Sequence, residues 1–394
     1  MKESVLIAGG GIGGLAAALA LANKGIHSVV FEQSPQFGEI GAGIQLAPNA
    51  FHAFDALGIG ERARKGAVFV DELLLMDAVA DEPIVGIPVG ERFRKRFGNP
   101  YAVVHRADLH DALLDACRAS GRVDLRVSSR VTRYEPLGGN VSAVLKSGER
   151  IEGAALIGAD GLWSAVREQM IGDGAPIVSG HTTYRSVIPT DKMPEDLRWN
   201  AATLWVGPKC HLVHYPLKDG KVFNLVVTTD NNAPEPVAGE PVAKHVVHAS
   251  FPHICDRVRQ IIDHGENWKR WVLCYREPIR DWTDGRVTLL GDAAHPMLQY
   301  FAQGAAMAME DAVCLGEMVE AHGRDFAAAF AAYNRARAPR TGRVQIGSRL
   351  IGEYIYHPDG AGAEIRNVAM RAKSTDDYYG SLEWLYGKQA SGGA

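Results

Sequence analysis

The chain has 394 residues, of which 46% are hydrophobic, and a formal net charge of -4. This length is too great for one ordinary core, so it favours two domains or one large domain that carries an insertion. The slightly acidic balance offers no basic surface for phosphates, and we expect no nucleic-acid partner. The five cysteines are scattered without metal-ligand spacing, which predicts no metal site, no disulfide framework and a reducing cytoplasm.

The first apolar stretch, Val5 to Ala22, reads VLIAGGGIGGLAAALALA and superficially resembles a signal peptide or a short membrane span. Its glycines argue against both alternatives. Each glycine between Gly9 and Gly14 costs a membrane helix about 1 kcal/mol relative to alanine, whereas a strand-turn-helix unit needs glycines at these positions. We therefore expect no membrane span.

The same stretch predicts a dinucleotide site. A strand (Val5 to Ala8), a G-x-G-x-x-G turn, an alanine-rich helix and a second strand (Ser28 to Glu32) follow one another. The first glycine allows a tight turn, the second lets the backbone approach a pyrophosphate, the third lets helix and strand pack, and the closing acid accepts hydrogen bonds from a ribose. These residues are Gly9, Gly11, Gly14 and Glu32. A purely structural turn stays possible, and the turn alone does not choose between FAD and NAD.

Four further motifs occur downstream. They are GEIGAGIQLAPNA (Gly38 to Ala50), HRADLHDALLDAC (His105 to Cys117), ALIGADGLWSAVR (Ala155 to Arg167) and LLGDAAHPMLQYFAQGAAMAMEDA (Leu289 to Ala312). Taken singly, such motifs also fit a capped helix or a strand-end turn. In this order they resemble the single-component FAD-dependent aromatic hydroxylases, the family of p-hydroxybenzoate hydroxylase.

The resemblance implies bound FAD, NADH as reductant and dioxygen as oxidant. It implies that Asp292 forms a hydrogen bond with a ribityl hydroxyl of the cofactor and that Pro296 lies at the flavin edge. A helix that begins near Gly304 then presents backbone N–H groups to the pyrimidine end of the ring. The expected FAD contacts beyond the first turn are Gln45, Arg106, Val131, Asp160, Gly291, Asp292, Pro296, Gly304 and Ala305.

Three other stretches resemble one group within that family, the 3-hydroxybenzoate 6-hydroxylases. They are GPKCHLVHYPL (Gly207 to Leu217), REPIRDWTDGRVTLLGDAAHPMLQY (Arg276 to Tyr300) and STDDYYGSLEWLYG (Ser374 to Gly387). The implied reaction is para hydroxylation of a small aromatic acid, 3-hydroxybenzoate, to gentisate. Three alternatives stay open: a decarboxylating salicylate 1-hydroxylase, a flavin-dependent oxidase or reductase, and a redox-sensing interaction protein.

The resemblance also implies a catalytic group. His211 and Gln299 are expected to polarise the phenol together, because a neutral imidazole can take a proton near pH 7. Strand alternation places Tyr215 on the face of His211, as its candidate partner, and His214 on the opposite face. A substrate carboxylate needs a cation or several donors. The candidates are Tyr101, Tyr215 and Arg185.

Periodicity predicts an α/β fold in which a Rossmann-like FAD-binding domain is discontinuous and carries an inserted antiparallel sheet. We assign residues 1–72, 100–177 and 271–335 to FAD binding and residues 73–99 and 178–270 to substrate binding. A C-terminal helical segment, 336–394, completes the chain. Its helices are expected to break at Pro339 and to serve as cover and as the surface of a possible homodimer.

Overall fold

The computed structural model describes residues 3–38 and 43–387. Outside the described residues lie 1–2, 39–42 and 388–394. Residues 39–42 belong to the predicted motif from Gly38 to Ala50. The strands are β1 Val5–Ala8, β2 Ser28–Phe31, β3 Gly43–Leu46, β4 Ala67–Phe69, β5 Glu72–Asp77, β6 Glu82–Pro88, β7 Ala102–His105, β8 Val123–Arg126, β9 Val131–Leu137, β10 Asn140–Leu145, β11 Arg150–Gly153, β12 Ala155–Gly158, β13 Ile177–Pro189, β14 Ala201–Gly207, β15 Cys210–Leu217, β16 Val222–Asp230, β17 Ala238–Pro241, β18 Glu266–Tyr275, β19 Thr283–Asp284 and β20 Val287–Leu289. The helices are α1 Ile12–Asn23, α2 Pro48–Leu57, α3 Gly60–Lys65, α4 Glu91–Phe97, α5 Arg106–Ala119, α6 Ala165–Ile171, α7 Lys244–Ala249, α8 Asp256–His264, α9 Gly304–Ala321, α10 Phe326–Ile351, α11 Gly360–Arg371 and α12 Thr375–Tyr386.

A mostly parallel sheet carries the first motif. Its strand order is β19-β20-β12-β1-β2-β8, and only the β19–β20 pair is antiparallel. Every residue of β1, β2 and β12 is buried, as expected for parallel strands that are covered on both faces. Helix α1 ends at Asn23, two residues before Gly25, whose φ of 70° closes the helix in the left-handed region. The predicted Rossmann-like unit is confirmed.

A second sheet of eight strands has the order β17-β18-β13-β16-β15-β14-β5-β6. Its pairs are antiparallel except for β14 and β5, which are parallel. The predicted antiparallel sheet is therefore confirmed in every pair except that of β14 with β5. Helices α7 and α8 pack on this sheet through a separate apolar cluster. The sheet draws on both predicted substrate-binding pieces, and the exact domain boundaries stay a prediction.

The expected break at Pro339 is wrong, because α10 runs unbroken through it from Phe326 to Ile351. Proline removes one backbone hydrogen bond and costs a helix interior about 3 kcal/mol. Side chains on both sides of the proline hold the helix in place. The Arg337 guanidinium donates to Asp311 of α9 over 2.7 Å, and Arg340 donates to the carbonyl oxygen of Leu385 over 2.9 Å. Packing against α9 and α12 thus outweighs the local preference of the sequence.

Candidate active site

A cavity of about 1020 Å³ lies between the parallel sheet and the eight-stranded sheet. We call its two ends the nucleotide end, at Gly9 and Glu32, and the substrate end, at Arg185, His211 and Tyr215. Of the eighteen site residues that the sequence suggests, the cavity wall includes all except Gly14 and Pro296. The structure therefore brings residues from distant motifs to one cavity.

At the nucleotide end the glycines leave no room for side chains. Gly9 has a φ of 106°, and a Cβ there would lie 2.2 Å from the Ala159 carbonyl oxygen. A Cβ on Gly14 would lie 1.9 Å from the carbonyl oxygen of Gly9, so this glycine serves the packing of α1 on β1 rather than the cavity wall. Within residues 3–38 and 43–387 no side chain caps the N-terminus of α1, and Gly11 faces the cavity. Free N–H groups and the helix dipole here fit a pyrophosphate.

Glu32 lies just after β2, where its carboxylate is held in place by backbone donors. Its Oε2 accepts from the Gly10 N–H over 2.9 Å, and its Oε1 accepts from the Ser34 N–H over 2.8 Å. Each oxygen keeps a second lone pair for a ribose hydroxyl. Val131 also lines the cavity. This geometry fits the nucleotide half of FAD.

Asp160 lines the cavity and also supports the start of α6. Its Oδ1 accepts from the Ser164 hydroxyl over 2.5 Å, and its Oδ2 accepts from the Ala165 N–H over 2.8 Å. Burial raises the pKa of this carboxyl above its usual value. The carboxylate therefore supports the start of α6 while it also faces the cavity.

The middle of the cavity is formed by the motif around Gly291 and by the N-terminus of α9. Gln303 precedes this helix and gives it no side-chain cap. Gly304, Ala305 and the exposed Asp292 line the wall beside these N–H groups. An uncapped helix start offers donors to an electron-rich ring edge, as the pyrimidine end of a reduced flavin presents. The residues present thus fit FAD along the full length of this wall.

Two neighbours of that motif point away from the cavity. The carbonyl oxygen of Pro296 accepts from the Gln345 amide over 3.2 Å, and Pro296 is not part of the wall. His295 is fully buried, and its Nε2 lies 2.5 Å from the Asp311 carboxylate. His295 is therefore a structural hydrogen-bonding residue.

At the substrate end, the side chains of β15 alternate between the two faces of the sheet, as the sequence predicts. His211, Val213 and Tyr215 of β15 line the cavity, whereas His214 packs on the other face against Trp199. Burial lowers the pKa of His211 well below its usual value, so the imidazole is neutral near pH 7.

Tyr215 is not the hydrogen-bond partner of His211, which corrects the sequence expectation. The Nδ1 of His211 instead lies 2.8 Å from the Nε2 of His357. Residues two apart on a strand are separated by nearly 7 Å, and the Tyr215 ring packs against Gly43. His357 and its neighbour Tyr356, which is 4.9 Å from His211 between ring centroids, come from the segment expected to act as cover and dimer surface. No sequence signal links His357 to His211.

Gln299 reaches the substrate end from a short turn before α9. Its Oε1 accepts from the Arg185 Nη2 over 2.7 Å, and its Nε2 donates to the hydroxyls of Thr183 and Thr228 over 3.3 and 3.4 Å. These contacts orient its amide on the cavity wall.

The three carboxylate candidates differ in their partners. The Tyr101 hydroxyl donates to the Gln45 Oε1 over 2.6 Å, so it is already engaged. Burial lowers the pKa of the Arg185 guanidinium. Tyr215 and a second cation, Arg106, lie close enough to interact with this guanidinium. Among residues 3–38 and 43–387, Arg185 has no carboxylate partner. Two cations and a phenol hydroxyl at one wall suit an anionic substrate.

Comparisons with known proteins agree with this geometry. The family model described as an FAD binding domain matches residues 2–346. A relative named 3-hydroxybenzoate 6-hydroxylase 1, from Aquipseudomonas alcaligenes, is 56% identical over 99% of this chain and 98% of its own length. A 3-hydroxybenzoate 6-hydroxylase from Polaromonas naphthalenivorans is 52% identical over 97% of this chain and 95% of its own.

Solved structures share the fold. HpxO from Klebsiella pneumoniae, described as complexed with FAD and uric acid, superposes with a TM-score of 0.86 at 25% identity, over 98% of this chain and 97% of its own. A salicylate hydroxylase substrate complex superposes with a TM-score of 0.83 at 23% identity, over 98% of this chain and 95% of its own, and shows the fold alone. In the part of the chain that the structure describes, no helix is long and apolar enough to cross a membrane.

Proposed function

Because the chain belongs to the FAD-dependent aromatic monooxygenases, we propose that it hydroxylates 3-hydroxybenzoate para to the hydroxyl group and so forms gentisate. Relatives that carry this activity in their names match nearly the full chain at 56% and 52% identity. The observation that carries the proposal is a buried, neutral His211 that faces the cavity beside Gln299.

Bound FAD, with NADH and dioxygen as cosubstrates, supplies an electrophilic oxygen atom to the substrate ring. The uncapped starts of α1 and α9 would hold the pyrophosphate and the pyrimidine end of the cofactor, and Glu32, oriented by the Gly10 N–H, would accept from its ribose.

The protein makes the substrate ring electron-rich. A phenol is more nucleophilic para to its oxygen when its hydroxyl proton is removed. The Nε2 of His211 accepts that proton, while the amide of Gln299 hydrogen-bonds the same oxygen. General base catalysis of this kind contributes about 10²- to 10⁴-fold in rate.

The carboxylate of the substrate binds Arg185, and Tyr215 donates a second hydrogen bond. Arg185 also donates to the Oε1 of Gln299 over 2.7 Å, so one guanidinium orients both the acid group and the amide that polarises the phenol. This arrangement favours a benzoate over an uncharged phenol.

A turnover assay tests the proposal. The FAD-loaded protein is incubated with NADH, or NADPH in parallel, and with 3-hydroxybenzoate or salicylate under isotopically labelled dioxygen. We expect labelled gentisate from 3-hydroxybenzoate, at about one molecule per NADH oxidised. Catechol from salicylate alone means a decarboxylating 1-hydroxylase, and hydrogen peroxide alone means an oxidase; either result refutes the proposal.

We further propose a cytoplasmic homodimer. All five cysteines are unpaired, which fits a reducing compartment. Large apolar side chains on α10, the turn after it and α11 are exposed, as a subunit interface requires. They are Ile346, Leu350, Tyr354, Ile365 and Val368. Light scattering that reports a monomer refutes the dimer.

A further inference from the structure

We propose that Trp163 is a stacking surface for the adenine of the reductant, a nicotinamide dinucleotide that binds across the mouth of the cavity. This inference rests on the proposed function in one respect, because it needs NADH as the electron donor. The sequence contains a single dinucleotide fingerprint, from Gly9 to Gly14, and FAD binds there. A second dinucleotide therefore needs a different surface.

Trp163 differs from the other apolar side chains at the surface. It is 56% exposed, and of the eleven large apolar residues that are exposed in the described part of the chain it alone lines the cavity. Within that part no other ring and no cation stacks on its indole, and its Nε1 has no hydrogen-bond acceptor. A free aromatic face at the rim of a cavity is a surface on which a planar group can stack.

The backbone holds this indole in place from both sides. Gly161, at a φ of 78°, begins a tight turn in which the Ser164 N–H donates to the Gly161 carbonyl oxygen over 3.0 Å. The Asp160 carboxylate accepts from the Ser164 hydroxyl and from the Ala165 N–H, so the turn is tied to the start of α6. Because the backbone under Trp163 is already ordered, little conformational entropy is lost when a ligand stacks on the indole.

The strand order separates Trp163 from the adenine of FAD. Part of the parallel sheet has the order β20-β12-β1-β2, and the fingerprint turn follows β1. Glu32, which we assign to the adenosine ribose, follows β2, whereas Trp163 follows β12 on the opposite side of β1. Asp292, which we assign to the ribityl chain, follows β20. Trp163 thus lies beside the ribityl part of FAD, which has no aromatic face, and its indole remains open to a second ligand.

Exposure distinguishes the two rings of the reductant. The nicotinamide must lie over the flavin inside the cavity, because these two rings exchange a hydride. The adenine at the other end of the molecule can stay at the rim, where the indole of Trp163 is exposed. Stacking of one base on an aromatic side chain strengthens binding by roughly 5- to 150-fold. Trp163 therefore fits the adenine rather than the nicotinamide.

Calorimetric titration of the FAD-loaded protein with ADP-ribose tests the inference, because this fragment carries the adenine but no ring that reduces FAD. Trp163→Ala should weaken the binding of ADP-ribose by roughly 5- to 150-fold. Trp163→Phe keeps an aromatic face and should stay within about threefold of wild type. Ile177→Ala, at an exposed residue outside the cavity wall, is the matched control and should bind like wild type. Surface substitutions of this kind leave the fold intact.

Anaerobic rapid mixing gives a second readout of the same contact. The loss of flavin absorbance is followed against the concentration of NADH or of reduced nicotinamide mononucleotide, which lacks the adenosine. In Trp163→Ala the NADH concentration that gives half the limiting rate should rise by the same factor as the dissociation constant of ADP-ribose. The limiting rate itself should be kept, and the mononucleotide should react as it does with wild type.

Four outcomes overturn the inference. They are unchanged ADP-ribose binding in Trp163→Ala, a wild type that does not bind ADP-ribose, an equal loss of both reductants, and a loss of FAD or a shifted flavin spectrum in Trp163→Ala. The third outcome means that the nicotinamide stacks on Trp163, and the fourth means that FAD does. Binding of ADP-ribose that depends on Trp163, without gentisate in turnover, supports the inference and refutes only the proposed function.

Discussion

Replacement of Arg185 by methionine tests the substrate end most directly. Arg185→Met keeps an unbranched apolar stem but removes the guanidinium that we assign to the substrate carboxylate. It also removes the 2.7 Å hydrogen bond to Gln299. Loss of the hydrogen bond to Gln299 affects every phenol that binds, whereas loss of the contact with the substrate carboxylate affects only acids. A comparison of an acid with its uncharged analogue therefore separates the two effects.

The expected magnitude follows from the lost contact. A hydrogen bond to a charged group contributes roughly 1.5–3 kcal/mol, more than a neutral one. At about 1.4 kcal/mol per factor of ten, the preference for 3-hydroxybenzoate over 3-hydroxybenzyl alcohol should fall roughly 10- to 150-fold. Arg106 lies near enough to retain a remnant of this preference.

Titration of the FAD-loaded protein with each ligand, followed by the visible absorbance of the flavin, measures the four dissociation constants. Arg343→Met, an exposed arginine on α10, is the control and should keep the wild-type preference. If Arg185→Met discriminates between acid and alcohol as well as wild type does, Arg185 does not bind the carboxylate and the assignment is refuted.

Three other substitutions have defined outcomes. His211→Asn should lower kcat by about 10²- to 10⁴-fold with little change in the dissociation constant of the substrate, and an unchanged kcat contradicts its role as base. Gly9→Ala adds backbone strain of about 1–3 kcal/mol and a Cβ 2.2 Å from a carbonyl oxygen. The purified variant should contain little FAD, as measured by flavin absorbance. Gly58→Ala, at a position with positive φ but open space around the added Cβ, should keep FAD. Burial raises the pKa of Asp311, but its imidazole and guanidinium partners outweigh burial and lower that pKa to about 2. Its stabilisation of the fold, about 2 kcal/mol, is therefore present above pH 4 and lost as the pH falls toward 2. In urea unfolding, the difference in free energy of unfolding between wild type and Asp311→Asn should narrow over that pH range. A constant difference contradicts this prediction.

Local motifs made the nucleotide end predictable from sequence. Strand, turn, helix and second strand follow one another within residues 5–32, and each glycine acts on its immediate neighbours. The same holds for the start of α9 at Gly304 and for the alternation of His211 and His214 in β15. In these places the physical cause lies within a few residues of its effect.

The missed features depend on contacts between distant residues. His357 meets His211 across 146 residues, and no spacing encodes that meeting. Pro339 follows a reliable local rule, yet the ion pairs of Arg337 with α9 hold the helix through it. Likewise, the sequence predicts an antiparallel sheet but not the parallel pairing of β5 with β14. Tertiary packing decided each of these cases.

The parallel pairing of β5 with β14 also has a consequence for biosynthesis. Glu72 pairs with Ala201, so the ribosome adds about 130 residues, in roughly 6–26 s, between the two strands. During that time β5 and β6 form a hairpin whose free edge carries three consecutive leucines, Leu73 to Leu75. An unpaired apolar edge is a template for pairing with other chains. High-level expression should therefore depend on slow translation, low temperature or a holding chaperone, even though the finished protein buries that edge.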